Sequence, residues 1–265
     1  MYMISLLNFI TFLFACGSAR RLETSSRIID GIDAERGQFP HQVSVKLSLT
    51  HKHLCGGSII SDKFILTASH CLERDDKPET IFVYIGALDI INDGFDMNLE
   101  KIIIHPSFDI NKLRNDITIL KTIETILFSD FIKPISLPTQ NVPADGQMDV
   151  ILSGWGRSTY PTPSGTHMFP RKLQYQTTKT LSLTECREIY SKENSLDPTY
   201  KNLCTINPVG KGACTGDSGG PLISNNGTVI LGLLSWGVPC GQGFPDVYTN
   251  VFLYLDWINA VMANE

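Results

Sequence analysis

Hydrophobic and polar residues alternate, or hydrophobic residues run together in short stretches, along most of the chain beyond residue 40. These stretches are rich in β-branched and aromatic residues and are bounded by Gly, Pro, Asn and Asp, which is typical of strands. The segments that read as strands are HQVSVKLSL, SIIS, KFILTAS, TIFVYIG, EKIIIHP, DITILKT, DVILSGW, KLQYQTTKTL, TVILGLLSW and DVYTNV. Their shortness and close spacing predict an all-β fold, either a sandwich or a barrel.

A helical pattern occurs at two places. The C-terminal segment 251–265 puts four apolar residues on one helical face. These residues are Phe252, Leu255, Ile258 and Met262. The segment LSLTECREIY predicts a second, shorter helix with Ser182 or Thr184 as its N-cap. Residues 160–170 are rich in Pro, Gly and Ser and predict a loop.

The first 19 residues are predicted to be a secretory signal peptide. Residues 3–16 are almost all apolar but too few to span a membrane, and Gly17 and Ala19 match the small residues of a cleavage site. No Lys or Arg precedes the apolar run, so a buried N-terminal helix is the alternative. A signal peptide implies a secreted, extracellular protein.

Composition narrows the function classes. The 265 residues are 42% hydrophobic and 18% charged, with a net charge of −5. This composition excludes an intrinsically disordered or collagen-like chain. A mildly acidic chain without runs of Lys or Arg lacks the positive field that nucleic acids and anionic membranes attract. We therefore expect neither of them as a partner.

Six cysteines follow the predicted signal peptide, an even number that suits disulfides in an oxidising compartment. They allow many pairings, so their connectivity is open at this point. His51, His53 and Cys55 would share one face of a strand and could ligate a metal ion. A fourth ligand is missing nearby, so we expect Cys55 to form a disulfide and the chain to hold no metal.

Three segments carry candidate chemistry. Ser218 lies in the Gly-rich GDSGGP, His70 follows an apolar strand in TASHC, and Asp116 begins one in NDITIL. A serine hydroxyl is a poor nucleophile at neutral pH and needs a base with a pKa near 7, and that imidazole needs an acceptor that holds it. The Gly-rich turn alone would not indicate a nucleophilic serine. The sequence, however, contains all three residue types of an activated serine: the serine itself, a histidine and an aspartate.

The motifs TASHC, NDITIL, GDSGGP and SWG, in this order, together with IIDG after an arginine, resemble the chymotrypsin/trypsin family of serine endopeptidases. Within that family the chain is similar to chymotrypsin-like and brachyurin-type (collagenolytic) arthropod proteases. The resemblance covers residues 28–265 and implies two packed antiparallel β-barrels, divided near residue 134, with a C-terminal helix and no cofactor. The disulfides that it implies are Cys55–Cys71, Cys186–Cys204 and Cys214–Cys240.

The resemblance also implies catalytic roles. His70 would be the general base and acid, Asp116 would orient it, and Ser218 would attack the scissile carbonyl to form an acyl-enzyme that water hydrolyses. Ser235, from SWG, would donate a hydrogen bond to Asp116. The backbone amides of Gly216 and Ser218 would form the oxyanion hole. The implied partners are protein or peptide substrates and protein inhibitors, and the enzyme is expected to be a monomer.

Residues 20–27 resemble an activation propeptide. A trypsin-like protease would cut between Arg27 and Ile28, and the new ammonium group of Ile28 would pair with Asp217, beside the nucleophile. A buried charge is stable only with a partner, so this pair would order the oxyanion hole and the specificity pocket. The alternative is a flexible N-terminal tail.

The implied specificity pocket departs from that of trypsins. Gly212, followed by Ala213, stands where trypsins carry the aspartate that binds Arg and Lys, and Gly237 leaves the pocket mouth open to large side chains. Asp246 stands where most members have glycine, as in brachyurin-type proteases. We expect chymotrypsin-like or broad cleavage after large apolar residues, and also after basic residues that pair with Asp246. The alternatives are trypsin-like specificity through Asp246, or a restricted pocket in which dehydration raises the pKa of that carboxyl.

The remaining motifs have simpler interpretations. Asn226 begins an Asn-Gly-Thr sequon, which predicts a hairpin turn and a potential glycosylation site. Asp93 and Asp96 lie where trypsins often bind calcium, but the segment lacks paired glutamates, so we expect solvated turn residues. The other histidines are interpreted as surface or structural residues. They are His41, His51, His53, His105 and His167. A non-catalytic homologue that serves as a binding cofactor, or a disulfide-stapled structural protein, is the alternative to an enzyme.

Overall fold

The computed structural model describes residues 31–72, 76–157, 169–192, 196–238 and 240–265. The predicted signal peptide, the predicted propeptide with its Arg27–Ile28 junction, and residues 160–168 of the predicted loop lie outside these residues, as does His167.

Short strands make up most of the described chain. The first half contributes β1 (Ile32–Asp33), β2 (Gln42–Leu47), β3 (His53–Ile59), β4 (Phe64–Thr67), β5 (Ile81–Ile85), β6 (Phe95–Ile104) and β7 (Thr118–Thr122). The second half contributes β8 (Asp149–Gly154), β9 (Gln174–Leu181), β10 (Asn202–Thr205), β11 (Pro221–Ser224), β12 (Ile230–Gly237) and β13 (Asp246–Asn250). The α-helices are α1 (Leu183–Ser191) and α2 (Leu255–Asn264).

The strands close into two antiparallel barrels. In the first barrel, β2 is followed around the wall by β3, β4, β7, β6 and β5, and β5 pairs again with β2. In the second barrel the order is β9, β10, β13, β12, β11 and β8, and β8 pairs again with β9. The predicted fold of two antiparallel β-barrels with a C-terminal helix is confirmed.

Apolar side chains fill the barrels and the space between them. Val43, Val83 and Leu120 are fully buried in the core of the first barrel. Another buried cluster joins Leu66 of the first barrel to Leu233 of the second, so the barrels pack on each other through an apolar interface. Strands such as β4 and β5 are buried at every position, which accounts for their continuous rather than alternating apolar pattern.

Each end of the described chain packs on the barrel that is farther away in sequence. Strand β1 pairs with β9 of the second barrel. Helix α2 reaches back to the first barrel, where Lys121 Nζ donates to the main-chain oxygen of Glu265 at 2.6 Å and Lys101 pairs with the Glu265 carboxylate. These exchanges tie the two barrels together and so fix the cleft between them.

Both predicted helices form. Helix α1 begins after Ser182, whose Oγ accepts a hydrogen bond from the amide of Glu185 at 3.2 Å, while the Glu185 carboxylate accepts one from Ser182 Oγ at 2.5 Å. Ser182, rather than Thr184, is therefore the N-cap of this helix. No helix of the described residues is long and apolar enough to cross a membrane.

Strand β3 starts earlier than the sequence pattern indicates. The segment SIIS covers only its end, because the strand begins at His53 and passes through Gly56 and Gly57. Paired glycines argue against a strand interior. Here they are required by a close approach, since a Cβ atom on Gly56 would lie 2.7 Å from the Cα atom of Gly220 in the second barrel. The GDSGGP segment therefore packs directly on the first barrel.

Three disulfides cross-link segments of the described chain. They are Cys55–Cys71, Cys186–Cys204 and Cys214–Cys240, the pairs that the resemblance implies. The first joins β3 to the turn after β4, and the third joins the GDSGGP loop to the loop before β13.

Candidate active site

A buried carboxylate and an imidazole meet at the edge of the first barrel. Asp116, which is fully buried, precedes β7, and His70 lies in a short 3₁₀ turn after β4. The His70 Nδ1 atom lies 2.7 Å from Asp116 Oδ2, and the His70 amide donates to Asp116 Oδ1 at 2.9 Å. Because a carboxylate only accepts hydrogen bonds, Nδ1 carries the proton and Nε2 of a neutral ring is left as the base.

The second barrel also holds Asp116. Ser235, in β12, donates its hydroxyl to Asp116 Oδ2 at 2.5 Å, and Thr249, in β13, donates to the Asp116 carbonyl oxygen at 2.8 Å. The carboxylate thus receives three hydrogen bonds inside the protein. Such bonds fix the direction of the carboxylate toward the imidazole.

Asn115 sets the backbone just before this carboxylate. Its φ of 51° is in the left-handed region, which asparagine tolerates better than most residues. Its side-chain oxygen accepts hydrogen bonds from Lys201 Nζ at 3.0 Å and Tyr254 Oη at 3.1 Å. The turn before β10 and the turn before α2 therefore converge on the residue that precedes Asp116.

Ser218 is fixed by its backbone between the barrels. Its carbonyl oxygen accepts a hydrogen bond from the Gly56 amide at 2.8 Å, and the amide of the following residue, Gly219, donates to Leu234 O at 2.8 Å. A Cβ atom on Gly219 would lie 2.3 Å from Thr67 Oγ1, which shows how tightly the segment packs against the end of β4.

The same first-barrel segments carry His70. A His70 ring nitrogen lies within 4.8 Å of the Cys55 sulfur, next to the Gly56 that holds Ser218. Within the described residues no hydrogen bond joins Ser218 Oγ to His70 Nε2. In free enzymes such a bond is often long and shortens only when substrate binds. The segments on which these two side chains stand are thus packed against each other.

Gly216 is held by a histidine that sequence reasoning did not assign to the site. His53 Nε2 lies 2.8 Å from Gly216 O, and His53 Nδ1 lies 2.8 Å from Ser44 Oγ. Burial lowers the pKa of His53 to about 4, so the ring is neutral at physiological pH. A carbonyl only accepts, so Nε2 donates to Gly216 and Nδ1 accepts from Ser44. Separately, the amides of Gly216 and Ser218 donate to no acceptor among the described residues.

Asp217 is buried and holds the other side of the same loop. Its carboxylate accepts hydrogen bonds from the amides of Gly156 at 2.7 Å and Cys214 at 3.0 Å. Burial raises the pKa of Asp217 to about 7. None of the cationic side chains in the described part of the chain forms a salt bridge with it. A cation brought to this carboxylate would be stabilised strongly.

A cavity of about 220 Å³ opens beside Ser218. Its lining is Ala213, Cys214, Thr215, Ser218, Leu234, Trp236, Gly237 and Asp246. Ala213, Gly237 and Asp246 of the predicted pocket line it directly. Gly212 lies just behind, and a Cβ atom there would be 2.9 Å from Asn207 Nδ2 and 3.3 Å from Asp246 Oδ2.

Asp246 is only 3% exposed on the cavity wall. Its Oδ2 atom accepts a hydrogen bond from the Ala213 amide at 2.8 Å. Burial raises the pKa of Asp246 to about 6, and the Ala213 amide and the nearby Asn207 side chain oppose the shift. The carboxylate is thus ionised at neutral pH but poorly solvated.

The candidate calcium segment has more internal contacts than expected. Asp93 lies in a turn with its side chain 33% exposed, but its Oδ1 atom accepts hydrogen bonds from the amides of Leu88 and Asp89 at 3.0 and 2.9 Å, and it pairs with Arg36. Asp93 therefore also has a structural role, which the sequence pattern did not predict. Asp96 is exposed, as expected.

Metal ligands are scarce in the described residues. The one cluster of candidate ligands there is Cys55, His70 and Cys71, and both sulfurs belong to a disulfide. A disulfide sulfur is not a thiolate, so this cluster does not fit a metal ion.

Comparison with known proteins agrees with this geometry. Residues 28–258 match the family model described as Trypsin. The chain belongs to the trypsin family of serine proteases. It is 37% identical over 244 residues to Trypsin-1 of Astacus astacus, an alignment that covers 88% of this chain and 99% of the relative. It is 36% identical over 231 residues to Chymotrypsin-2 of Vespa crabro, covering 87% of this chain and 98% of the relative.

Family membership makes the chain a serine endopeptidase, that is, a hydrolase of peptide bonds. The structure brings His70 and Asp116 into contact and places Ser218, Gly216 and Asp217 in one loop beside them. Sequence reasoning missed the roles of Ser44 and His53. The signal was present, because His53 shares a strand face with Cys55 and lies three residues before the glycine that contacts the nucleophile loop.

Proposed function

We propose that the chain is a secreted zymogen whose cleaved form hydrolyses peptide bonds through Ser218, His70 and Asp116. The observation that carries the proposal is the buried Asp116 carboxylate, which binds His70 Nδ1 at 2.7 Å and leaves Nε2 as the base. His70 would take the Ser218 proton as Oγ attacks the scissile carbonyl, and would return it to the leaving amine. Water would then hydrolyse the acyl-enzyme by the same route, with His70 again as base and then acid.

The oxyanion hole would be formed by the amides of Gly216 and Ser218. Negative charge develops on the carbonyl oxygen as the tetrahedral intermediate forms, and two fixed amides stabilise it without reorganisation. The hydrogen bond from His53 to Gly216 O supports this role, because it holds the backbone that lies between the two amides.

Activation would depend on Asp217. Cleavage after Arg27 would create an ammonium group on Ile28, and the buried Asp217 carboxylate, whose pKa burial raises to about 7, supplies the matching charge. A buried ion pair forms only where the surrounding loop adopts the conformation that satisfies both partners. The propeptide 20–27, and an external trypsin-like protease that removes it, belong to this proposal.

The specificity that we propose is chymotrypsin-like or broad. The relatives at similar identity are named both trypsin and chymotrypsin, so the pocket is the better guide. Gly212 places no carboxylate at the pocket base, and the apolar wall from Leu234 and Trp236 suits Phe, Tyr, Leu or Met. Asp246 would add cleavage after Arg or Lys. Cleavage of collagen, or a strict preference for Arg and Lys, are the alternative specificities of the same pocket.

Secretion and glycosylation belong to the same proposal. Three disulfides indicate an oxidising compartment. Asn226 lies exposed in the hairpin turn between β11 and β12, and its Oδ1 atom accepts hydrogen bonds from Ser224 Oγ and Thr228 Oγ1 at 2.6 and 2.8 Å. The side-chain nitrogen, to which a glycan would be attached, donates to no acceptor among the described residues.

The test is hydrolysis of peptide anilides by protein cleaved after Arg27. The proposal predicts turnover by the cleaved chain and none by a Ser218→Ala variant, which keeps the fold because Ser218 is held by its backbone. An inactive cleaved chain that binds protein partners would instead favour the non-catalytic cofactor.

A further inference from the structure

A cavity of about 470 Å³ lies on the second barrel. Its walls come from the linker between the barrels, at residues 138–143, from Met148 beside β8, and from the β11–β12 hairpin. It shares no described lining residue with the specificity cavity. Its volume falls within the range of about 300 to 1,000 Å³ that is typical of small-molecule sites. The cavity is therefore large enough to hold a group that the catalytic reaction does not use.

The lining of this cavity is uncharged. None of the described residues that line it is acidic, basic or a histidine. The half-buried side chains of Val142, Met148 and Val229 form apolar walls. The exposed residues Thr139 and Gln140 add a hydroxyl and an amide. A charged ligand would lose hydration here and meet no opposite charge. Apolar walls with neutral donors and acceptors suit a neutral sugar, whose ring presents C–H groups on its faces and hydroxyls around its edge.

Asn226 brings a point of sugar attachment to the wall of this cavity. It begins the Asn-Gly-Thr sequon, it is exposed, and it lines the cavity. Its Oδ1 atom accepts hydrogen bonds from Ser224 Oγ at 2.6 Å and from the Thr228 amide at 3.2 Å, whereas its Nδ2 atom donates to no acceptor among the described residues. A sugar joined to Nδ2 would start at the cavity wall. Because this tether makes binding intramolecular, the sugar would have a high effective concentration there.

The cavity lies between two segments that a sugar would join. The Ser136 amide donates to Thr228 O at 3.2 Å, and the Ile230 amide donates to Ser136 O at 3.0 Å, so the hairpin pairs with the start of the linker. Past that point, linker residues 139–141 are exposed. A sugar in the cavity would contact both the linker and the hairpin, and it would cover part of the exposed linker.

We propose that an N-linked glycan on Asn226 packs its first N-acetylglucosamine into this cavity, with the ring against Val142, Met148 and Val229. The acetamide and hydroxyl groups of the sugar then face the neutral polar groups of the lining. The inference rests on the proposed function, because the sugar is attached only in the secretory pathway. It gives the glycan a fixed place, in which it holds the linker between the barrels against the β11–β12 hairpin.

The experiment compares two forms of the wild-type chain that differ only in the sugar. One is secreted by eukaryotic cells that make high-mannose glycans and is trimmed with endoglycosidase H, which leaves a single N-acetylglucosamine. The other comes from a bacterial periplasm, where no glycan is attached. Mass spectrometry locates the sugar on Asn226. We expect the glycosylated form to unfold about 2 to 4 °C higher. Amide hydrogen exchange in residues 136–143 should be about threefold to tenfold slower.

Two variants test whether packing in the cavity, rather than the mere presence of a sugar, causes the effect. Val142→Ser removes an apolar wall and should make the unfolding temperatures and exchange rates of the two forms nearly equal. The double variant Thr228→Ala, Leu127→Asn removes the native sequon and creates one with Ser129, at a residue that is 80% exposed beside the first barrel. Its two forms should exchange equally in residues 136–143. Slower exchange there with the relocated sugar, or an undiminished difference in Val142→Ser, overturns the inference.

Other outcomes separate the inference from catalysis. A secreted wild-type chain without a sugar on Asn226 overturns the inference, as do equal exchange rates in its two forms. Slow exchange of residues 136–143 in both forms, with a dimer seen by light scattering, also overturns it and makes this face an interface between copies of the chain. After cleavage at Arg27, both forms should hydrolyse a peptide anilide at the same rate. Failure of both forms to do so contradicts the proposed catalysis and leaves the place of the sugar unaffected.

Discussion

The neutral imidazole of His53 donates a hydrogen bond to the carbonyl oxygen of Gly216 at 2.8 Å, across the boundary between the two barrels. Ser44 fixes the tautomer from the other side of the ring, through an Oγ to Nδ1 distance of 2.8 Å. The loop that presents the proposed oxyanion amides is thus anchored in the first barrel, although the loop itself belongs to the second.

Removing this anchor should slow catalysis more than it weakens substrate binding. His53→Ala should lower kcat by about tenfold to a hundredfold with little change in KM, because oxyanion stabilisation acts in the transition state. For Ser44→Ala we expect a smaller loss of kcat. Steady-state kinetics on a short peptide anilide check this. His51→Ala, which changes an exposed histidine outside the relay, is the matched control. An unchanged kcat in His53→Ala would contradict the anchoring role.

Substitutions at Asp116 and at its hydrogen-bond donor Ser235 should lower kcat by different amounts. Asp116→Asn should lower kcat by about 10⁴-fold, the size typical of this triad, because the amide reverses the hydrogen bonding to the imidazole. Ser235→Ala removes one hydrogen bond to a buried carboxylate and should lower kcat by about tenfold. Thermal unfolding of both variants shows whether the fold is kept. Equal losses in the two variants would contradict the graded roles.

Activation should require the cut after Arg27. An Arg27→Gln chain treated with trypsin should remain nearly inactive, whereas the wild type gains activity. The proposed ion pair with Asp217 would raise the pKa of the new α-ammonium above its ordinary range of about 7.7 to 8.0. Activity should therefore persist through neutral pH and fall as alkaline pH removes that proton. Asp217→Asn should abolish the gain on cleavage. Full activity of uncleaved Arg27→Gln protein would refute the zymogen.

Asp246 should destabilise the folded chain at neutral pH. Its pKa is about 6 in the fold against an ordinary value of 3.8, so the folded state favours the protonated form. The contribution of Asp246 to the free energy of unfolding is therefore fully present below about pH 3.8 and is lost as pH rises toward 6. Asp246→Asn should be more stable than wild type by roughly 2 to 3 kcal/mol at pH 7.5 and nearly equal near pH 4. Denaturant unfolding of both chains at the two pH values measures this.

The same titration should control specificity. If basic side chains bind Asp246, the ratio of kcat/KM for Arg to that for Phe at the acyl position should rise between pH 5 and pH 7.5, with a midpoint near 6. In Asp246→Asn the ratio should be low and independent of pH in this range. A strong Arg preference that survives the substitution would contradict any role of Asp246 in binding cations.

The sequence predicted the features that local pattern and motifs encode. Strand periodicity predicted an all-β fold but left a sandwich and a barrel open, and the two barrels came from the motifs that resemble the family. The capping residue Ser182 was one of two that the pattern proposed. The sequence could not predict contacts between distant segments. Gly56 reads as a strand breaker until Gly220 is seen against it, and Asp93 reads as a solvated turn residue until Arg36 is seen beside it. His53 was missed for the same reason, because its partner is 163 residues away.

The most direct test of the central claim is covalent labelling with a fluorophosphonate, which reacts with an activated serine hydroxyl. After cleavage at Arg27, mass spectrometry should find one label per chain, on Ser218, and Asp116→Asn should slow the labelling strongly. Before cleavage the rate should be much lower. A cleaved, folded chain that takes no label at Ser218, or that labels equally fast without Asp116, would contradict the claim that these residues activate Ser218.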